Sequence, residues 1–178
     1  MNTCAVEVNC LEFTSETTEI INTETNTIPA CLGLLTQLKR LNLCCESLTG
    51  TIPSALGELT ALTYLNLGNN QLTGTIPSAL GALTALTWLG LFDTQLTGTI
   101  PSVLEELKAL KDLLLHSNKL TGSILPSALG ELTALRDVRL QNNQLTGTIP
   151  SVLGELTALT WLSLANNQLI GTIPSALG

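Results

Sequence analysis

Residues 62–83 read LTYLNLGNNQLTGTIPSALGAL, and close copies of this stretch recur along most of the chain. The seven prolines mark the period, because they stand at 29, 53, 77, 101, 126, 150 and 174, with gaps of 24, 24, 24, 25, 24 and 24 residues. Self-similarity at this period is typical of a solenoid, in which each repeat stacks on the one before. The sequence therefore predicts about six repeats over residues 29–178.

The pattern L-x-x-L-x-L-x-x-N-x-L-T-G-T-I-P predicts which side chains face inward. The L-x-L segment, from Leu65 to Leu67 in one copy, alternates with period two, as in a short strand with one buried face. The asparagine slot is predicted to satisfy buried backbone groups at the bend that follows. That slot holds Asn70, Asn118, Asn143 and Asn167. In two repeats Glu46 or Thr94 stands there instead, and we expect looser turns.

Residues 72–81, LTGTIPSALG, match the motif L-x-G-x-I-P-x-x-L-G, as do their copies. On this motif the chain resembles the plant-type class of leucine-rich repeats, which includes receptor-kinase ectodomains, receptor-like proteins and polygalacturonase-inhibiting proteins. The resemblance implies an α/β repeat solenoid, a right-handed arc with a concave parallel β-sheet and a second short β-sheet at the L-T-G-T-I segments. It further implies a convex side of 3-10 turns, short helices or irregular chain.

Both ends depart from the family pattern. The family's N-terminal cap has a tryptophan-containing segment bracketed by cysteines, whereas here only Cys4 and Cys10 remain, so we interpret residues 1–28 as a degenerate cap. The repeats at 29–178 carry no C-terminal cap, which predicts end-to-end self-association or a chain cut from a longer one. The 25-residue gap places one extra residue near Leu125, which we interpret as a bulge.

Composition narrows the classes of function. The formal net charge is −7, but residues 1–28 hold five glutamates and no Lys or Arg, so the repeats are close to neutral. Without a basic stripe, a nucleic-acid partner is not expected. The sequence has no apolar run of about 18 residues, so no membrane segment is predicted. The start lacks a signal-peptide pattern, which predicts the cytoplasm for a complete chain and the extracellular space for a processed or partial one.

The outward positions of the strand segments predict a recognition surface. Most x positions of L-x-x-L-x-L-x-x-N project from the concave sheet, and four of the five aromatic residues lie there. Tyr64, Trp88, Phe92 and Leu114 are expected to form an apolar patch in which Gly90 opens a hollow, flanked by charged residues. The predicted partner-binding residues are Arg40, Tyr64, Trp88, Phe92, Asp112, Leu114, His116, Asp137, Arg139 and Trp161. In the alternative interpretation, these aromatic rings only cover the sheet by packing across strands.

Residues that could carry chemistry are few. His116, with Asp112 four residues earlier and Ser117 beside it, supplies the residue types of a nucleophilic site, but an open sheet offers no wall to exclude water. We therefore interpret His116 as an exposed surface residue and predict that the protein is not an enzyme.

The cysteines do not suggest a cofactor. Zinc needs closely grouped ligands, while Cys44 and His116 lie three repeats apart, so neither metal nor cofactor is predicted. Adjacent Cys44 and Cys45 could form a strained vicinal disulfide or be two thiols at exposed slots. Cys31 aligns with Ala55 and is assigned to the core.

A second surface gives a rival function. In L-T-G-T-I the alternation turns both threonines outward, which predicts two stacked columns. They contain Thr49, Thr73, Thr97, Thr121 and Thr146, and Thr51, Thr75, Thr99, Thr148 and Thr172. A flat threonine array could bind ice or a polysaccharide, so a glycan is a further ligand class. The favoured function is recognition of a protein or peptide on the concave face; the alternatives are this threonine surface or a truncated fragment of a longer receptor-like protein.

Overall fold

The computed structural model describes residues 19–20, 26–124 and 129–177. Its strands form two parallel sheets. The main sheet contains, in spatial order, β1 (Glu19–Ile20), β2 (Arg40–Asn42), β3 (Tyr64–Asn66), β4 (Trp88–Gly90), β5 (Asp112–Leu114), β7 (Asp137–Arg139) and β9 (Trp161–Ser163). The second sheet contains β6 (Thr121–Ser123), β8 (Gln144–Thr148) and β10 (Gln168–Ile170). The predicted solenoid with its concave sheet and second sheet is confirmed.

The main sheet is straight in register, so equivalent residues of successive coils stand side by side. Tyr64 pairs with Trp88, and Leu65 with Leu89, each exactly one repeat apart. The leucine at the centre of each strand faces inward, where Leu65 and Leu89 have no exposed surface. Burying a leucine side chain contributes roughly 1.5–3 kcal/mol, so a stack of such layers is the main stabilising element of the coil.

Six of the described coils have, on the side opposite the main sheet, a 3-10 turn that begins after the proline. These turns span Ala30–Leu34, Ser54–Glu58, Ser78–Ala82, Ser102–Glu106, Ser151–Glu155 and Ser175–Leu177. Pro53 has φ −67° and ψ 136°, an extended conformation that the pyrrolidine ring favours, and its carbonyl accepts the N–H of Leu56 at 3.1 Å. The leucine of each turn enters the core, which lies between the two sheets and the turns.

The second sheet is staggered, and this corrects the predicted threonine columns. Thr51 pairs with Thr73, and Thr75 with Thr97, so each coil is displaced by two residues relative to the next. The hydroxyls of Thr73 and Thr97 donate to the carbonyls of Gly50 and Gly74, both at 3.2 Å. The threonines of the predicted column that contains Thr73 therefore lie along a diagonal of the sheet. The hydroxyls of Thr73 and Thr97 are bonded to the preceding coil.

Gly74 shows why a glycine follows the first of these threonines. Its φ of +80° lies in the left-handed region, which L side chains rarely adopt. A Cβ on Gly74 would lie 3.0 Å from the γ-methyl of Thr51 in the preceding coil, so conformation and packing both select glycine.

The asparagine slot satisfies backbone groups in two coils, as predicted. The Asn70 amide donates to the carbonyls of Leu43 and Leu67 at 2.7 and 2.9 Å, and its Oδ1 accepts the N–H of Leu48 at 2.9 Å. Asn118, two coils farther on, and Asn143, in the coil after that, repeat these contacts. A buried group left without its partner costs about 1–3 kcal/mol, so the slot is a strong local constraint.

The turn at Thr94 is not looser than the others. Asp93 before it has φ 47°, close to the 51° of Asn69, so the backbone is the same. The Thr94 hydroxyl replaces one asparagine contact by donating to the carbonyl of Leu91 at 3.2 Å, or to Oδ1 of Asn118. It gives no acceptor to the N–H of Leu72. The cost of the substitution is thus an unmet hydrogen bond rather than a looser backbone. The turn at Glu46 does differ, because Cys45 and Ser47 both have positive φ.

Two further sequence-based interpretations concern residues near the edges of the described ranges. Cys31 is disulfide-bonded, to a cysteine outside the described residues, so its assignment as a simple core residue was wrong. It occupies an alanine position, where a small side chain can reach beyond the coil. Cys4 and Cys10 of the degenerate cap and the bulge at Leu125 lie outside the described residues; Ile124, just before Leu125, is buried.

Exchanging the two types of slot residue should change stability in opposite directions. Asn70→Thr leaves the N–H of Leu48 without its acceptor and should lower the free energy of unfolding by about 1–3 kcal/mol. Thr94→Asn supplies an acceptor to Leu72 and should raise it by about 0.5–1.5 kcal/mol. Urea denaturation monitored by circular dichroism measures both. The exposed Gln71→Thr serves as a control and should stay within about 0.5 kcal/mol. Equal signs for the two slot variants would contradict this account of the slot.

Candidate functional site

The candidate site is the outer face of the main sheet, opposite the leucine core. Its side chains come from the first and third residues of each strand and from the turn that follows. Because the register is straight, these positions form rows that cross the strands, with neighbouring strands about 4.8 Å apart. That separation is close to the stacking distance of flat groups, and the rows contain several of them.

A row of stacked planar groups, which we call the ring ladder, crosses β2, β3 and β4. The Arg40 guanidinium lies 3.6 Å from the centroid of the Tyr64 ring. The Tyr64 ring stacks on Trp88, with centroids 4.4 Å apart and planes inclined by 13°. The six-membered ring of Trp88 lies over the bare backbone of Gly90, where a Cβ would collide with it. The ladder is half-buried, so its rings are accessible but held in place.

A second stack, formed by Phe92 and His116, lies beside the ring ladder. The two ring planes are nearly parallel, with an angle of 3° between them, and the ring centroids lie 4.9 Å apart. A Cβ on Gly68 would lie 2.6 Å from the Phe92 ring, so this glycine provides the floor on which the ring rests. Gly90 therefore adjoins both stacks, but it is covered by Trp88 rather than forming the hollow expected between the two rings.

His116 is not the exposed surface residue that the sequence suggested. Its side chain is 17% exposed, its Nδ1 is buried without a partner, and its Nε2 lies 4.0 Å from Oδ2 of Asp93. Burial lowers the pKa of His116, and the nearby Asp93 charge only partly opposes that effect, so the imidazole is neutral at pH 7. Among the described residues, no hydrogen bond links His116 to Asp112 or Ser117, so the considered catalytic set does not assemble.

Charged residues follow the ring ladder on β5 and β7. Asp137 accepts two hydrogen bonds from Nε of Arg139, both at 3.0 Å, and a third from Nη2 at 2.8 Å. The guanidinium of Arg139 also lies 5.5 Å from the Trp161 ring centroid. Trp161 is 57% exposed, and it stands apart from the ring ladder, with β5 and β7 in between.

Asp112 lies between the ring ladder and the Asp137–Arg139 pair, in register with Trp88 on one side and Asp137 on the other. Burial raises the pKa of the Asp112 carboxyl above its ordinary value, and the charge of Asp137 adds to the increase. Within the described part of the chain its carboxylate makes no hydrogen bond or ion pair. Asp112 is consequently a half-buried acid on this face whose carboxylate has no partner among the described residues.

Two cysteines that are adjacent in sequence, Cys44 and Cys45, border the same face. Cys44 and Cys45 are both free thiols, so the vicinal disulfide is not formed. Burial raises the pKa of the Cys44 thiol, and its hydrogen bond with Cys45 raises it further, which keeps Cys44 protonated. The described residues contain no group of three or more His, Cys, Asp or Glu placed to hold a metal ion. They also include no helix with the length and apolar character needed to cross a bilayer.

The structure brings five of the ten predicted binding residues together in two groups. Arg40, Tyr64 and Trp88 form one group, and Phe92 and His116 form the adjacent one. Leu114 is half-buried on β5, in register with Gly90. Gly68 was placed at an outward position of the motif but was not among the predicted binding residues. A usable signal existed for Gly68, because it precedes Phe92 by one repeat.

Comparisons with known proteins agree with this architecture. Residues 36–96 and 108–169 match the family model described as Leucine rich repeat. The chain is similar to the crystal structure of PEPR1–AtPEP1, with 38% identity and TM-score 0.85 over 90% of this chain and 22% of that one. It is also similar to the Arabidopsis receptor kinase HAESA in complex with the peptide hormone IDA and the co-receptor SERK1, with 36% identity, TM-score 0.80, and 83% and 25% coverage.

A third similar structure is that of a plant ice-binding protein, with 27% identity and TM-score 0.71 over 90% of this chain and 67% of that one. No curated protein sequence matches the chain. The chain thus spans about a quarter or less of the two receptor chains and two thirds of the ice-binding protein.

Removing the charge of Asp112 should stabilise the fold. Because its folded-state pKa is raised, ionisation opposes folding at neutral pH, and this cost disappears as the pH falls through the folded-state pKa towards the ordinary 3.8. Asp112→Asn should raise the free energy of unfolding at pH 7 by about 0.2–1 kcal/mol, the range for like charges on facing strands. The gain should be absent below pH 3.8. Asp93→Asn, an exposed control, should change it by no more than about 0.5 kcal/mol. A loss of stability in Asp112→Asn at pH 7 would show that its carboxylate is satisfied.

Proposed function

We propose, from the premise that the chain belongs to the leucine-rich-repeat family in its plant-type class, that it is a non-enzymatic recognition module. It binds a protein or peptide across the outer face of the main sheet, which corresponds to the concave face of the family's arc. The partner contacts the ring ladder, the Phe92–His116 stack and the charged residues on β5 and β7.

The ring ladder is the observation that carries this proposal. Trp, Tyr and Arg contribute most to the binding energy of protein interfaces, and here one of each is stacked into a preformed surface. Since the rings are already held by their neighbours and by Gly90, little side-chain entropy is lost when a partner binds. Packing between neighbouring strands explains why the rings stack. It does not explain why the aromatic residues of the described ranges are concentrated on this face.

The similar structures support a peptide or protein partner. The HAESA ectodomain is seen with a peptide hormone and a co-receptor protein, and other similar receptors are described with peptide ligands. Those chains are about four times longer than the matched region, so the identity of their ligands is not carried over. The disulfide at Cys31 favours an oxidising compartment, which agrees with the extracellular assignment of this class.

Truncation of the ring ladder should abolish binding and leave the fold intact. Peptides are selected from a random display library on the immobilised protein, and their affinities are measured by isothermal titration calorimetry. Trp88→Ala and Tyr64→Ala should each weaken the selected peptides by about 30-fold or more, which corresponds to about 2 kcal/mol. Circular dichroism and the urea midpoint verify that the variants are folded.

Thr97→Ala, on the outer face of the second sheet, is the matched control and should change affinity less than about twofold. If the selected peptides bind the Trp88 and Tyr64 variants as tightly as the unchanged protein, the recognition surface lies elsewhere.

A second candidate function is adsorption to ice through the second sheet. The similarity to the plant ice-binding protein favours it. So does a diagonal series of exposed threonines, Thr51, Thr75 and Thr99, whose hydroxyls make no hydrogen bond within the described part of the chain. Two observations reduce the size of this surface. The hydroxyls of Thr49, Thr73, Thr97 and Thr121 already donate to the backbone, and Ile170 occupies a threonine position in the last coil, opposite Thr148.

Ice recrystallisation provides the test of this candidate. If the second sheet binds ice, micromolar protein should keep ice grains small in an annealing assay. The double variant Thr75→Lys and Thr99→Lys should abolish this effect, because two ammonium groups would then project from the surface, whereas Trp88→Ala should not alter it. Grain growth equal to that in buffer would exclude ice binding.

A further inference from the structure

The ring ladder ends in a cation, Arg40, on the side of β2, and it ends in the bare ring of Trp88 on the side of β5. Tyr64 covers one face of Trp88, and Arg40 covers the far face of Tyr64. Because Tyr64 and Trp88 are nearly parallel, the second face of Trp88 is directed towards β5. The residues of β5 in register with Trp88 and Gly90 are Asp112 and Leu114. The strand that follows Trp88 thus places an acid and an apolar residue beside the indole, and among the described residues no cation stacks on this second face.

The Asp112 carboxylate has no cation of its own. Arg139, which projects from the neighbouring strand β7, is committed to Asp137 through three short contacts. Arg136 and Lys111 act on Asp112 only through long-range attraction, which is weaker than the effect of burial. A half-buried charge without a partner is unfavourable, so a ligand that supplies a positive group would gain a contact that the protein cannot provide.

We propose that the partner inserts an arginine side chain between the indole face of Trp88 and the carboxylate of Asp112. This inference rests on the proposed function and specifies the chemistry of its ligand. The guanidinium would stack on Trp88 as Arg40 stacks on Tyr64, while its N–H groups donate to Asp112 as those of Arg139 do to Asp137. The protein thus already contains one example of each contact: Arg40 stacks on an aromatic ring, and Arg139 pairs with a carboxylate.

A guanidinium fits this subsite better than an ammonium group. It is planar, so it continues a ladder of flat groups, and it presents two parallel N–H donors to a carboxylate while its face stays on the ring. A lysine ammonium is compact and strongly hydrated, and it cannot make both contacts with the same geometry. The Asp137–Arg139 pair beside the subsite also leaves Asp112 as the acceptor that is open to the ligand.

The test uses the indole N–H resonances of the ¹⁵N-labelled protein. The chain has two tryptophans, and Trp161→Phe assigns the Trp88 signal. Nα-acetyl-argininamide is titrated in, with Nα-acetyl-citrullinamide as its uncharged isostere and Nα-acetyl-lysinamide as the ammonium probe. We expect a saturable shift of the Trp88 signal with the arginine probe only, at millimolar concentrations. Asp112→Asn should raise the dissociation constant at least about fivefold, while Asp93→Asn should change it less than about twofold.

Several results would overturn the subsite. They are an equal response to the citrulline or lysine probe, an Asp112→Asn variant that binds as tightly as the unchanged protein, and an equal loss in Asp93→Asn. Failure here is distinguishable from failure of the proposed function. If peptides selected on the immobilised protein depend on Trp88 but contain no enriched arginine, the recognition face stands and the arginine subsite does not. Enrichment of arginine that disappears in selections on Asp112→Asn would support both.

Discussion

Backbone hydrogen bonds between successive coils set the spacing on which the other features of this protein depend. The N–H of Leu67 donates to the carbonyl of Gly90 at 2.8 Å, and the same bond recurs from coil to coil along the main sheet. Parallel strands paired in this way stand about 4.8 Å apart. Each coil must therefore be one layer thick. Leucine fills these layers, and the four aromatic residues of the described ranges lie outside the core.

The same spacing suits the stacking of flat groups, which occur at two sets of equivalent positions in successive coils. Inside the solenoid the flat group is the amide of Asn70 and its copies, which bridges two coils by donating to Leu43 and Leu67. Outside, it is the ring or guanidinium of the ring ladder. The inner set contributes to stability because every donor finds an acceptor. The outer set leaves ring faces and one carboxylate open at the end of its stack, and this is the basis for the proposed recognition.

Much of this organisation was predictable from the repeat, and the exceptions have physical reasons. The inward leucines and the outward rows follow from the period, because the main sheet pairs residues exactly one repeat apart. The period does not determine the stagger of the second sheet, where Thr51 meets Thr73. It also could not show that Phe92 would cover His116 and bury it, since the direction of a side chain depends on its neighbours in three dimensions. The disulfide of Cys31 was missed because its partner lies outside the repeats.

The glycine of the 3-10 turns has a consequence for how such a chain can change. A Cβ on Gly57 would strike the backbone of Ala79 in the next coil, and Gly33 and Gly154 face the same obstacle. The residue types that fit at this position of one coil thus depend on the backbone of the next coil. Glu105 occupies the equivalent position in the coil that begins at Pro101. Duplication of a block of matched coils would preserve the fit at Gly57, whereas recombination that puts a residue with a Cβ at that position, beside an unchanged next coil, would create a backbone clash.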